Sequence, residues 1–67
     1  MQSNRIKGKI VEAGFSQQDL AEKLRMSRNS LSNKINGKSP FYLDEVKQLC
    51  DILGIQDDAE KAQIFLS

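Results

Sequence analysis

The stretch QQDLAEKLRMSRNSLSNKINGK, residues 17–38, decides the fold of this 67-residue chain. Its second half is rich in Ser and Asn, which compete with the helix backbone for hydrogen bonds and cost roughly 0.5 kcal/mol each relative to Ala. Leu31 and Ile35 nevertheless recur four residues apart, which is the spacing of a helix with a thin apolar stripe. The residue types therefore favour a loop, whereas their periodicity favours a helix.

Capping patterns favour the helix. Ser16 followed three residues later by Asp19 predicts a capping box at the start of a helix over about residues 17–24. Ser27 predicts the N-cap of the next helix, with an apolar residue before it and Leu31 after it as a hydrophobic staple. Because only two residues separate the two predicted helices, the chain must turn sharply between them. We expect a helix-turn-helix over about residues 16–36.

Apolar residues on both predicted helices are placed to lock this motif. A small residue is needed where the two helices cross, and Ala21 stands at that position. The full predicted packing set is Leu20, Ala21, Leu24, Met26, Leu31 and Ile35.

The rest of the chain also predicts helices, since no segment alternates in the manner of a strand. A first helix is expected from residue 3 or 4 to residue 13, ended by Gly14, and Gly8 inside it indicates either a close packing contact or a weak helix. Its expected inward residues are Ile6, Ile10 and Val11. A fourth helix over residues 43–53 has the predicted core stripe Leu43, Val46, Leu49, Cys50 and Leu53. A short fifth helix begins after a cap at Asp57, so residues 1–67 predict one all-α domain of five helices.

Composition excludes several classes of protein. The chain has one cysteine, which predicts a core residue, and no histidine, so a disulfide within the chain and a Cys/His metal cluster are excluded. Without a base to pair with a nucleophile we expect no enzyme, and nothing implies a cofactor or a small-molecule ligand. No apolar run approaches the roughly 20 residues that span a bilayer, and residues 1–9 lack the apolar centre of a secretion signal. We expect a cytoplasmic protein with no membrane partner.

The distribution of charge is more informative than the net charge of +1. Residues 23–43 hold five cations and no acid, whereas residues 44–67 hold six acids and two cations. A basic segment of this kind indicates either a polyanionic partner such as nucleic acid or a solvated surface, and charge alone leaves both open. Lys23 and Arg25 are interpreted as solvated surface charge.

Residues 16–38 resemble the helix-turn-helix of the phage lambda repressor and Cro family, in the pattern Q-x-x-L-A-x-x-[LM]-x-[MV]-S-x-x-x-[LI] followed by N-G-K. The likeness extends more loosely to the predicted helices over residues 4–13 and 43–53, and small Cro-like phage regulators are the nearest subgroup. The resemblance implies a lambda-repressor-like DNA-binding domain that represses transcription as a dimer on a palindromic operator. It also implies a bacterial cell or a phage-infected host as the setting.

The resemblance implies roles for the side chains of the second helix, the recognition helix over residues 27–36. Arg pairs bidentately with guanine and Asn with adenine, so these residue types suit base reading. The implied base-reading residues are Ser27, Arg28, Asn29, Ser32 and Asn33. The implied phosphate-binding residues are Gln17, Ser30, Asn36 and Lys38, with Gln17 assisted by free N–H groups at the start of its helix.

Two residues depart from the family pattern. Arg25 occupies the turn, where the family usually has glycine, and a non-glycine residue there costs on the order of 1 kcal/mol. Lys34 occupies the position of the family's second apolar lock, and the apolar residue is Ile35 instead. A shift by one residue rotates the buried stripe by tens of degrees, which leaves open which polar side chains face the groove.

The C-terminal segment, residues 57–67, leaves two interpretations open. Ile64, Phe65 and Leu66 either complete the core of one chain or form a patch that joins two subunits, which makes them candidate dimer contacts. This apolar ending and the acidic C-terminal half, residues 44–67, also fit an antitoxin or another protein-interaction module on the same fold, because fold alone does not fix function.

Overall fold

Five α-helices joined by short turns form the structure, a computed structural model that describes residues 2–66. The helices are α1 Ser3–Glu12, α2 Gln17–Lys23, α3 Arg28–Ile35, α4 Leu43–Leu53 and α5 Asp58–Phe65. Residues 2–66 contain no strand, so the prediction of an all-α, five-helix fold is confirmed. Met1 and Ser67 lie outside the described residues, and the predicted domain 1–67 and segment 57–67 are therefore followed only as far as residue 66.

Side-chain caps start α2, α3 and α5 at the positions that the sequence predicts. The Asp19 N–H donates to Ser16 Oγ at 3.0 Å, and the Ser16 N–H donates to the Asp19 carboxylate at 3.3 Å, which completes the capping box of α2. The Ser30 N–H donates to Ser27 Oγ at 3.1 Å at the start of α3. The Ala59 N–H donates to Asp57 Oδ1 at 3.0 Å at the start of α5. These bonds satisfy N–H groups that a helix start otherwise leaves without partners, which explains how the Ser- and Asn-rich stretch holds a helix.

A left-handed residue ends each of the first four helices. The φ angles are 83° at Gly14, 57° at Arg25, 80° at Gly37 and 72° at Gly54. At each end this residue donates its N–H to the carbonyl three residues back, and the next residue donates to the carbonyl five residues back, which is the Schellman arrangement. Arg25 is the one non-glycine residue with a positive φ in the part of the chain that the structure describes.

The core draws on all five helices. Its buried apolar residues are Ile6, Ile10, Leu20, Ala21, Leu24, Leu31, Ile35, Leu49, Cys50, Leu53, Ile55 and Ile64. The predicted packing set of the helix-turn-helix is therefore buried, except that Met26 is half-buried against the edge of the core. Each fully buried Leu or Ile contributes about 1.5–3 kcal/mol relative to an exposed one, so this cluster can hold the fold without a disulfide or metal.

Two residues predicted to face inward are exposed. Val11 is 76% exposed, because Ile10 takes the buried position on α1 and the next residue lies about 100° further round the helix. Leu43 is 72% exposed, because it begins α4 before that helix reaches the core. Gly8 has no atom within 4 Å of where a Cβ would lie, so it marks a weak point of α1 and not a close contact.

The three C-terminal candidates for dimer contacts lie in three different environments. Ile64 is fully buried and belongs to the core of the single chain, which is the first of the two interpretations that the sequence left open. Phe65 is half-buried and packs edge-to-face on Phe41, with the ring centroids 6.0 Å apart. Leu66 is 84% exposed and remains available to a partner.

Candidate nucleic-acid interface

The helix α3 is held on its inner face and free on its outer face. Leu31 and Ile35 are fully buried. Among the helix pairs of residues 2–66, α2 and α3 have the most extensive contact. The Ser3 hydroxyl donates to the carbonyl of Ile35 at 2.5 Å, which ties the end of α3 to the start of α1. The outer face therefore has a fixed orientation relative to the rest of the chain.

Arg28, Asn29 and Asn33 form the free outer row of α3. All three side chains are exposed, and within residues 2–66 none of them takes part in a hydrogen bond or ion pair. Asn29 and Asn33 are four residues apart, so they lie one above the other on the same helix face, and Arg28 stands at the first turn. This row presents several unoccupied donors and acceptors on a rigid helix.

Four other predicted contact residues already have partners within the chain. The Ser27 hydroxyl accepts from the Ser30 N–H in the cap and donates to Ser30 Oγ at 3.0 Å. Ser32 is half-buried, and its hydroxyl accepts from the Asn36 amide at 3.3 Å. The structure thus places Ser27 with Ser30 and Ser32 with Asn36, each pair joining a predicted base contact to a predicted phosphate contact.

Lys38 stands out among the residues that follow the left-handed helix ends. An apolar residue normally packs at this position of a Schellman end. Phe15 and Met26 are half-buried there and Ile55 is buried, whereas Lys38 is exposed. Its backbone N–H donates to the carbonyl of Asn33 at 2.8 Å, which fixes it at the end of α3. The fold alone does not require a lysine at this position.

Gln17 is the predicted phosphate contact that lies furthest from this row along the chain. It is the first residue of α2 and is half-buried. The capping box next to it uses the N–H groups of Ser16 and Asp19.

Lys34 is the residue that sequence reasoning missed. It is 9% exposed and lies beside the fully buried Ile35, so α3 buries both the lysine and the isoleucine. The Lys34 ammonium lies 2.6 Å from Glu45 Oε1 and donates to the carbonyl of Pro40 at 3.2 Å. It also lies 4.6 Å from the centroid of the Tyr42 ring. The aliphatic part of the Lys34 side chain therefore fills the position of the expected apolar lock, and the carboxylate of Glu45 compensates the charge of its ammonium.

The pairing of Lys34 with Glu45 affects the distribution of charge around α3. The hydrogen bond from Lys34, with a second one from the backbone N–H of Tyr42, holds the pKa of Glu45 below its ordinary value of 4.5. Because the Lys34 ammonium is buried and paired with the Glu45 carboxylate, the positive charge on the exposed surface around α3 comes from Arg25, Arg28 and Lys38. These three cations belong to a stretch of sequence, residues 23–43, that holds no acid, and a concentration of positive charge of this kind attracts a polyanion.

A sequence model of the helix-turn-helix domain family matches residues 11–64, from the last turn of α1 into α5. The chain belongs to this family. Comparisons of the helix-turn-helix domain with curated proteins and with solved structures gave no significant match. The family assignment confirms the helix-turn-helix predicted from residues 16–36 and supports DNA binding, while the lambda repressor and Cro type is a narrower classification than the match provides.

Other kinds of site have little support in the helix-turn-helix domain. No helix within residues 2–66 is long and apolar enough to cross a membrane. In the same residues no group of three or more His, Cys, Asp or Glu side chains is placed to hold a metal ion. Cys50 is buried in the core, and this burial raises the pKa of its thiol, which disfavours the reactive thiolate.

Proposed function

We propose that this helix-turn-helix domain is a sequence-specific DNA-binding regulator of transcription that reads the major groove with α3. The observation that carries the proposal is the row Arg28, Asn29 and Asn33, exposed and unpaired within residues 2–66 on a helix whose opposite face is locked. Arg offers two parallel donors to guanine O6 and N7, and Asn offers a donor and an acceptor to adenine N6 and N7. Ser27 and Ser32 flank this row as shorter base contacts.

Phosphate contacts are proposed around the same helix. Lys38 supplies charge at its C-terminal end, and Gln17 supplies an amide at the start of α2. Ser30 and Asn36 complete the set from α3 and its C-cap, in each case with a hydroxyl or amide group that is exposed. Such contacts orient a protein on the duplex without reading sequence, and the base contacts then specify the site.

We propose further that two copies bind a palindromic operator, as a repressor of the Cro type in the cytoplasm of a bacterial cell or a phage-infected host. A single recognition helix reads about four base pairs, and helix-turn-helix dimers place two such helices about 34 Å apart. The chain measures 28 × 24 × 21 Å, so one copy cannot cover both half-sites. Two copies at that spacing lie side by side and meet only through their facing surfaces.

The proposed surface for the second copy is an apolar groove between α5 on one side and the segment 37–41 with the start of α4 on the other. It has a volume of about 880 Å³, and it is lined by the exposed Leu43 and Leu66 together with the half-buried Phe65. Asp58 and Lys61 stand on α5 at its edge, three residues apart. Across a two-fold axis the aspartate of one copy can face the lysine of the other, so the groove is complementary in charge to itself. Lys38 also lines it, which places this surface beside the proposed phosphate contact.

Salt dependence of binding to duplex DNA tests the proposal. Each phosphate contact contributes about −0.9 to the slope of log K against log salt, so we expect a clearly negative slope on a random-sequence duplex. Lys38→Ala is expected to make that slope shallower by about one, whereas Lys47→Ala, an exposed lysine on α4 with the same change of charge, leaves it nearly unchanged. A slope near zero for the unaltered chain would reject DNA binding.

A protein-interaction module, such as an antitoxin, is the second candidate. The same groove favours it, because an exposed apolar surface next to an acidic C-terminal half could hold another protein. A slope near zero in the salt titration, with a folded chain, is the result that this alternative predicts. The family match supports a non-enzymatic regulator in either case.

A further inference from the structure

One carboxylate joins three segments of the chain. Glu45 Oε1 accepts from the Lys34 ammonium of α3 at 2.6 Å and from the backbone N–H of Tyr42 at 2.9 Å. The same ammonium donates to the carbonyl of Pro40 at 3.2 Å. The helix α3, the connecting segment 37–42 and the first turn of α4 therefore meet at a single pair of charges.

Stability alone gives a weak reason for this arrangement. The side chains of Lys34 and Glu45 are 11% and 18% exposed, so both charges lose most of their hydration. Buried ion pairs recover this cost only partly, and replacement by apolar residues of similar volume is often neutral or stabilising. An uncharged side chain of similar length at position 34 would fill the same space. The pair is therefore better explained by what it holds in place.

The pair holds the segment that carries Lys38. At one end of this segment the Lys38 N–H donates to the carbonyl of Asn33 at 2.8 Å. At the other end Lys34 holds the Pro40 carbonyl. Backbone bonds from residues 37–39 thus tie Lys38 to α3 on one side, and on the other side the bond to the Pro40 carbonyl depends on the ion pair. The Lys34 ammonium also lies near the rings of Tyr42 and Phe41, at 4.6 and 6.0 Å from their centroids.

We propose that Lys34 and Glu45 are positioning residues for DNA binding: their ion pair fixes the segment 37–42 so that Lys38 meets a phosphate while α3 lies in the groove. The inference rests on the proposed function. It assigns to the pair no contact with DNA, and it predicts that the contribution of Lys38 to binding depends on the pair.

The double variant K34M/E45Q removes the link and keeps the packing. Methionine replaces the lysine stem with an unbranched apolar chain, and the glutamine oxygen can still accept from the Tyr42 N–H at the start of α4. The variant K9M/E60Q is the matched control, because Lys9 and Glu60 form an ion pair of the same 2.6 Å length between α1 and α5. Both double variants leave the net charge unchanged, so long-range attraction to DNA is matched.

Binding to a random-sequence duplex and thermal unfolding are measured for the unaltered chain and both double variants, each with and without Lys38→Ala. Lys38→Ala is expected to weaken binding by the unaltered chain and by K9M/E60Q roughly five- to tenfold at about 0.1 M salt, the value of one phosphate contact. K34M/E45Q is expected to unfold within a few degrees of the unaltered chain and to bind more weakly by a similar factor. Lys38→Ala is then expected to weaken K34M/E45Q no further.

Three outcomes would overturn the positioning role. The first is binding by K34M/E45Q equal to that of the unaltered chain. The second is a full additional loss from Lys38→Ala in the K34M/E45Q background, which would show that Lys38 acts independently of the pair. The third is an unfolded K34M/E45Q, which would show that the pair serves stability. Failure of the unaltered chain to bind duplex DNA is a separate result, since it rejects the proposed function itself.

Discussion

Replacement of Arg25 by glycine should stabilise the protein. Arg25 has a φ of 57°, a left-handed conformation that costs an L-residue roughly 1–2 kcal/mol and costs glycine almost nothing. The two bonds of this turn, from Arg25 to the carbonyl of Glu22 at 3.1 Å and from Met26 to that of Ala21 at 3.0 Å, involve only backbone and persist in the variant. The exposed arginine side chain makes no hydrogen bond or ion pair within residues 2–66, so its loss removes no interaction of either kind.

The increase in the free energy of unfolding is expected to be smaller than the backbone strain that the glycine relieves. A glycine adds freedom to the unfolded chain, which offsets roughly 0.4–1 kcal/mol. We expect Arg25→Gly to raise the free energy of unfolding by about 0.5–1 kcal/mol. For a domain of this size that corresponds to a rise in Tm of about 2–8 °C. Thermal and urea unfolding followed by circular dichroism measure both quantities.

The reverse substitution at the end of α1 is the matched control. Gly14 has a φ of 83° and makes the same pair of turn bonds, and no atom lies within 4 Å of a Cβ placed there. Gly14→Ala should therefore lower stability by about 1 kcal/mol through backbone strain alone. Two results together would refute this role of the left-handed backbone: an Arg25→Gly variant that is less stable than the unaltered chain, and a Gly14→Ala variant with the same free energy of unfolding as the unaltered chain.

Changes to single side chains in α1, α3 and α4 and in the segment after α3 should also have measurable effects. Gly8→Ala in the exposed middle of α1 should add about 1 kcal/mol of stability, measured by urea unfolding, and an unchanged midpoint would contradict it. The hydrogen bond from Lys34 lowers the pKa of Glu45 in the folded chain. The unaltered chain should therefore be more stable than Glu45→Gln by a constant amount above the ordinary pKa of 4.5, and this advantage should shrink as pH falls through the lower folded-state pKa. Urea unfolding of both chains across this pH range measures the advantage, and an advantage that does not change with pH would contradict the prediction. Arg28→Ala or Asn33→Ala should cost about 1–3 kcal/mol on the selected operator and little on random duplex in fluorescence titrations, and equal losses on both would identify phosphate contacts instead. Lys38→Ala should weaken binding to both DNAs alike, and a loss confined to the operator would assign it to base reading.

Local patterns predicted most of the fold. The caps at Ser16, Ser27 and Asp57 and the left-handed end at Gly14 each depend on a few neighbouring residues, so the sequence contains them in full. The exposure of Leu43 could not be predicted from the sequence of α4, because helical spacing defines an apolar stripe without showing which part of that stripe contacts the core.

Lys34 shows what local patterns omit. A lysine in an acid-free segment is normally on the surface, and its burial depends on Glu45, eleven residues further along the chain and on another helix. The family pattern does indicate an apolar residue at this position, and a long aliphatic stem with a distant acid can meet that requirement. The outer row of α3 was easier to predict, because an exposed face needs no partner elsewhere in the chain.

Selection of binding sites from a pool of random duplexes shows directly whether α3 reads base edges. The selected sequences are predicted to share a short motif of about four base pairs, present twice in inverted orientation with centres about one helical turn apart. The same selection with Arg28→Ala should relax the preference at one position of each half-site. Selected sequences with no common motif, or an identical motif for the Arg28→Ala variant, would contradict the claim.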